Sequence, residues 1–275
     1  MNRRELDPDS SPGAAFGARL RSSREERGWI QDELAERMGY SGTHVSAVET
    51  NRKSPTRRFA KRADEALGTG DVFERLWRVV RHAALLEGFP EYVLHEARAV
   101  EIRLFELGII PGLLQTPEYA AAVAAGAVRR RSITEQQANE RVAFLAERQA
   151  RLDRDSPPLI HAVLDESCIR RPVGGRAVMS AQLDRLVAFA ELPHTVFQVA
   201  PYEIGESRSF DLPVNLLTLP DRSLACYAES AQQGHLERDS ESVLPTLTAY
   251  HQLQAEALSQ AASVAMIRQL RKELP

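Results

Sequence analysis

The stretch QDELAERMGYSGTHVSAVETNRKSP, residues 31–55, sets Gly42, Thr43, His44 and Ser46 among apolar residues and ends in a basic run. From Arg52 to Arg62 there are six basic residues (Arg52, Lys53, Arg57, Arg58, Lys61 and Arg62) and no acid. Hydroxyl and imidazole groups can exchange hydrogen bonds with base edges, and cations suit phosphates. A charge run alone is most often a solvated face, so the reading depends on the spacing around it. Ala35 is small where two helices would cross, Gly39 follows four residues on, then Val45, then Val48 three residues further. That order is the geometry of a helix-turn-helix, with Gly39 supplying the positive φ of the turn. Gly42, Thr43, His44 and Ser46 then point away from the core, on the half of the second helix that faces a major groove in this motif. The competing reading is a four-helix bundle that contacts protein instead.

The elements that must hold this pair are legible on both sides. Phe16, Leu20 and Ser23 form one stripe of an amphipathic helix ended by Gly28. The second helix begins at Gln31, and the third starts near Ser41 as N-cap. A fourth puts Phe59, Ala63 and Leu67 on one face and stops at Gly68 and Gly70. Residues 71–98 are helical again, interrupted at Gly88-Phe89-Pro90. The texture then changes: VEIRLFELGIIPGLL, PPLIHAVLDESCI, HTVFQVAP, LPVNLLTL and SLACYAES look like strands flanked by turns. Helical patterns occupy 117–127, 134–153, 178–191 and a long stretch from about 240 to 273. The expected fold is an N-terminal all-α helix-turn-helix domain of four to five helices plus a larger C-terminal α+β domain. Its expected divisions are a disordered tail over 1–13, the DNA-binding domain over 14–70, a helical connector over 71–98 and a sensor and dimerisation domain over 99–275.

Composition narrows the class. The chain has 275 residues, 43% hydrophobic and 27% charged, which fits a globular protein with a sizeable core. No apolar run approaches a membrane span, and MNRRELDPDSSPG lacks the apolar centre of a secretory signal, so we expect a cytoplasmic protein with no membrane partner. The net charge of −3 hides a division, because residues 1–70 hold 13 Lys and Arg against 11 Asp and Glu while the remainder is acidic. Cys168 and Cys226 have no partner at metal-ligand spacing, and we expect two buried free thiols.

The string IQDELAERMGYSGTHVSAVETNRKSP resembles the XRE family of lambda-Cro/repressor-type regulators. That pattern runs Gln, Leu-Ala, Gly, Ser-x-x-x-Ile/Val-Ser-x-x-Glu and a basic-Pro ending. Here it falls on Gln31, Leu34-Ala35, Gly39, Ser41, Val45-Ser46, Glu49 and Lys53-Ser54-Pro55. Asn51 departs from it, standing where the family usually has Gly; Asn is the next best residue at a left-handed position after a helix. The resemblance implies roles. Gln31 and Ser41 or Ser46 would bond phosphates or the nearest base, and Thr43 and His44 would meet base edges. Arg52, Lys53, Arg57 and Arg58 would sit at flanking phosphates. Glu49 fits a structural ion pair with an Arg of the first helix or the loop better than a contact to cytosine, and Trp29 and Trp77 fit packing roles.

From about residue 71 onward the chain resembles the C-terminal domain of actinobacterial WhiJ-like regulators, through IIPGLLQTPEYAAAV, RVAFLAERQARL, VLDESCIRRPVGG and CYAES. This implies a transcriptional regulator, often encoded beside a small partner protein, and supplies no ligand. In the residues themselves, Thr116-Pro117-Glu118 reads as a helix start, and Gln115 and Tyr119 either belong to that entry or line a pocket. Asp165-Glu166 and Glu229 at strand ends could form paired carboxylates, joined in principle by His161, His194, His235 and His251. None of these shows metal-ligand spacing, and no catalytic or phosphate-cradling motif occurs. Gly174-Gly175 reads as a loop, and Arg129-Arg130-Arg131 as a solvated helix end or a contact for an acidic partner. We therefore expect no enzyme activity, cofactor or metal. The expected function is a repressor that binds double-stranded DNA at an inverted repeat as a homodimer and senses a small-molecule effector or a small protein. Two alternatives stand beside it: an antitoxin-like protein that sequesters a small partner and autoregulates its operon, and an enzyme with a DNA-binding address domain.

Overall fold

The computed structural model describes residues 7–8, 11–82, 88–229 and 234–274. The chain divides into two compact units, Met1–Leu85 and Leu86–Pro275.

Among its described residues the first unit holds five α-helices: α1 (Pro12–Glu25), α2 (Gln31–Met38), α3 (Gly42–Glu49), α4 (Arg57–Leu67) and α5 (Val72–His82). Each start has a local cause. Ser11 caps α1 by accepting from the Ala14 N–H at 3.2 Å, and Ser41 and Thr56 do the same for α3 and α4 through the His44 and Phe59 N–H groups. The turn after α2 runs through Gly39 at φ +70°, and the chain leaves α3 through Asn51 at φ +51°. Phe16, Leu20, Leu34, Met38, Val45, Val48, Phe59 and Leu67 bury together as one core. Most of the tail expected over 1–13 lies outside the described residues; Pro12 and Gly13, however, belong to the first turn of α1.

The boundary expected near residue 70 falls later. The buried Asp64 carboxylate accepts from the Thr69 hydroxyl at 2.6 Å and from the Phe73 and Glu74 N–H groups at 2.9 Å each. This caps α5 from within α4 and seats Phe73 and Val80 in the same core. The expected connector 71–98 therefore splits, its first helix completing the N-terminal unit.

In the second unit, α6 (Phe89–Glu96) leads into β1 (Glu101–Glu106), then α7 (Pro117–Arg129), α8 (Glu135–Leu152) and β2 (Leu159–Asp165). After these come α9 (Glu166–Arg170), α10 (Gly175–Ala190), β3 (Thr195–Ala200), β4 (Val214–Thr218), β5 (Leu224–Glu229) and β6 (Gly234–Glu237). The helices α11 (Ser240–Glu256) and α12 (Gln260–Glu273) close the unit. The strands form one mixed sheet in the order β3-β2-β1-β4-β5-β6. β1, β2 and β3 are parallel, and β4, β5 and β6 each join antiparallel. Phe105, Val163, Val214 and Leu216 pack with Val243, Tyr250 and Leu253 of α11. Leu104 and Glu106 alternate to the opposite face.

Three expectations are corrected. The strand expected to continue through DESCI ends at Asp165, whose carboxylate accepts from the Ser167 N–H at 2.9 Å and starts α9. The long final helix breaks at 257–259, where Ser259 caps α12. The strand β6 was not foreseen, because GHLE carries little β signal. Gln115 and Tyr119 serve helix entry: Gln115 donates to the Ile110 carbonyl at 2.7 Å, and the fully buried Tyr119 hydroxyl accepts from the Ile110 N–H at 3.3 Å. Gln115 also edges a groove between α7 and α8. Cys168 is buried, and Cys226 is only partly so; both are free thiols.

Candidate nucleic-acid interface

The pair α2–α3 is positioned by an ionic anchor beneath it. Glu49, fully buried at the end of α3, receives Arg24 through two hydrogen bonds of 2.6 and 2.9 Å. Arg24 also donates to the Trp29 carbonyl at 2.7 Å, and the Gln31 amide donates to Glu49 at 2.8 Å. One carboxylate thus ties α1, the start of α2 and the end of α3. Glu49 is the structural partner of a first-helix arginine, as its setting in the sequence suggested. Gln31 is turned partly inward, with one amide N–H committed to Glu49.

Close approach of α1 to α3 depends on Gly17, where a Cβ would lie 2.7 Å from the Val48 carbonyl oxygen. No sequence signal singled this residue out, since its role is set by a neighbour 31 positions away.

On the outer side of α3, Thr43 is exposed, and Ser41 is exposed with its hydroxyl accepting from the His44 N–H. Ser46 is partly buried. His44 departs from expectation. Its ring stacks on Phe59 (centroids 5.3 Å apart, 12° between planes) and meets Tyr40 edge-on at 4.8 Å. Its Nδ1 lies 3.5 Å from Lys53 Nζ, and among the described residues its buried Nε2 has no hydrogen-bond partner. Burial, and secondarily Lys53, lower its pKa below the ordinary 6.5, which favours the neutral ring. The expectation that His44 points wholly away from the core is corrected: Phe59 and Tyr40 offer an aromatic slot that its ring fills. Tyr40 was not singled out by the sequence, although it lies four residues before His44.

The cations gather in two groups. Arg52 and Lys53 are exposed just after α3, Arg52 held by the Thr50 hydroxyl at 2.9 Å. Arg57, Arg58 and Lys61 line a depression on α4 together with Glu74, which pairs with Arg57 at 3.5 Å. Lys61 extends the site by the i, i+4 spacing from Arg57. Exposed cations beside the N-terminal half of an exposed helix can engage phosphates while that helix meets bases.

In the second unit, the carboxylates that the sequence grouped are separated by their partners. Asp165 receives Arg208 at 3.2 Å, Glu166 accepts from the Tyr202 N–H at 2.9 Å and pairs with Arg170, and Glu229 accepts from the Tyr227 hydroxyl at 3.0 Å. His161 pairs instead with Glu101 at 2.9 Å.

The helix pair, its turn and the exposed cations define the class: a helix-turn-helix DNA-binding regulator. A helix-turn-helix domain model matches residues 15–76. The model of a domain of unknown function (DUF5753) matches residues 89–269, more than half of the chain, and the chain belongs to that family. No curated protein and no solved structure matches it. Among the described residues no helix is long and apolar enough to cross a membrane.

Proposed function

We propose that the chain is a sequence-specific transcriptional repressor of the WhiJ-like type, acting in the cytoplasm as a homodimer on an inverted repeat. The observation that carries this is the exposed Thr43 in the first turn of α3, with Lys53 Nζ 3.5 Å from the neighbouring His44 ring and Arg52 exposed next to it in the chain. Thr43 is the base reader, offering its hydroxyl to a base or its methyl to thymine. His44 holds the helix in place, while Ser41, Ser46 and the free amide N–H of Gln31 reach the nearest phosphates. Even two or three good base contacts, each worth about 1–3 kcal/mol, would discriminate poorly against genomic DNA. Two copies on half-sites about 34 Å apart, or a multiple of it, would supply the missing selectivity.

In this reading the second unit is a dimeriser and sensor rather than an enzyme. The commitment of Asp165 and Glu166 to Arg208, Arg170 and backbone N–H groups supports that choice. Footprinting on the DNA upstream of the protein's own coding sequence tests the proposal. Two protected half-sites related by inversion, one helical turn or a multiple apart, are expected; protection of a single half-site, or none, would overturn the dimeric reading.

A further inference from the structure

The second unit contains a cavity of about 150 Å³ at the carboxyl end of β1, on the face opposite α11. Phe89, Leu104 and Leu113 give it apolar walls, and Glu106, Asn215 and Glu229 turn polar groups toward it. Leu104 and Asn215 are register partners on β1 and β4, and Glu229 closes β5 beside them. The charges here are unbalanced. Arg148 also borders the space, but its Nε and Nη2 donate to Glu96 at 2.8 and 2.7 Å, and its guanidinium lies over the Phe89 ring at 4.9 Å. Glu96 is in turn bonded by the Tyr92 hydroxyl at 2.6 Å, so the arginine is matched by its own carboxylate. Arg148 also acts electrostatically on Glu106 and Glu229, but its ion pair, at 2.7 Å, is with Glu96, so among the described residues at the cavity one cation faces three carboxyl groups. Two carboxyl groups and an amide side chain around a small, partly apolar space suit a positive group attached to a short hydrocarbon.

We propose that this cavity binds a small organic cation, an alkylammonium whose charged head meets Glu106 and Glu229 and whose carbon chain lies against Phe89, Leu104 and Leu113. A cavity of about 150 Å³ accepts an occupant roughly the size of benzene, a handful of heavy atoms. A metal ion fits less well, because the described residues hold no group of three or more His, Cys, Asp or Glu side chains able to bind one. Burial, and then Glu229, push the Glu106 pKa up to about 8 against the lowering by the Leu107 N–H and by Arg148, which favours its protonated form at neutral pH. An arriving ammonium reverses that balance, so binding releases a proton from Glu106. The site gives the effector of the sensor reading a chemical class and rests on that reading only for its regulatory consequence.

Calorimetry of the full chain with n-butylamine hydrochloride at pH 7.5, in phosphate and in Tris, reads the site without DNA. Binding should be saturable, with a heat that differs between the two buffers in the sense of proton release, and 1-butanol should bind at least tenfold more weakly. Glu106→Gln and Glu229→Gln should each weaken butylammonium at least tenfold, and Glu106→Gln should abolish the proton release. Absence of saturable binding, equal affinity for 1-butanol, or wild-type affinity in both variants would overturn the proposal, as would calcium chloride binding in place of the amine. Should one variant fail to fold, as judged by circular dichroism, the other variant and the wild-type buffer dependence still decide. A titration of upstream DNA with and without butylammonium reads regulation separately; its failure alone would sink the sensor role and leave the site standing.

Discussion

At the residue scale, three buried or half-buried ionisable groups shape the chain's behaviour. Glu49 is enclosed with Arg24, and removing one partner leaves an uncompensated buried charge. Glu49→Ala should therefore cost about 3–5 kcal/mol in urea unfolding of the N-terminal unit, with helix content lost there first. His44 acts through pH. Its folded pKa lies below the 6.5 of an ordinary histidine, so between those values the unfolded chain binds more protons. Stability should fall as pH drops through 6.5 and level off below the folded value. His44→Gln should flatten that part of the urea midpoint curve. Glu106 has the opposite sign: its folded pKa of about 8 exceeds the 4.5 of a free glutamate, so the folded chain binds more protons between them. Stability falls as pH rises from 4.5 to 8, and Glu106→Gln should raise Tm more at pH 9 than at pH 5.

At the element scale, caps and turns were written locally and could be read. Ser41, Gly39, Asn51, Thr116 and Pro117 each do what their type dictates within a few residues. What could not be read are facts that need a distant neighbour. The Asp64 carboxylate that captures α5 lies on α4, which is why the boundary was misplaced. The slot that takes the His44 ring is built from Phe59, 15 residues away. Glu229 was visible as a strand-end carboxylate, but its cavity partner Glu106 was not, because only the β1-β4-β5 pairing brings them to one space. Gly17 is the sharpest case. Gly17→Ala would push a methyl into the α3 backbone, and overpacking of this kind costs typically about 1–3 kcal/mol. The shift of α3 should also weaken operator binding beyond the loss explained by unfolding. Gly13→Ala, whose nearest neighbour would be the Asn51 side chain rather than backbone, should be milder in both readouts.

For the whole molecule, the division of labour follows the charge. The N-terminal unit carries the exposed cations, and the acidic remainder carries the mixed sheet and its cavity. Phosphate contacts give affinity that decays with salt, roughly 0.9 in log–log slope for each contact. An Arg52→Ala/Lys53→Ala double variant should thus lose about 2 units of slope and weaken on all sequences alike. Thr43→Ala should instead lose selectivity while keeping the slope.

The most direct test of the central claim, that α3 reads DNA sequence, is fluorescence anisotropy of the full chain on fragments of its own upstream region. It would be run at two salt concentrations beside the Thr43→Ala variant. Wild type should select one fragment, and the variant should bind all fragments with equal, weak affinity and an unchanged salt slope. Unchanged selectivity in the Thr43→Ala variant would contradict the assignment of the reading residue. Wild-type binding that never distinguishes the fragments, with or without butylammonium, would contradict the claim itself.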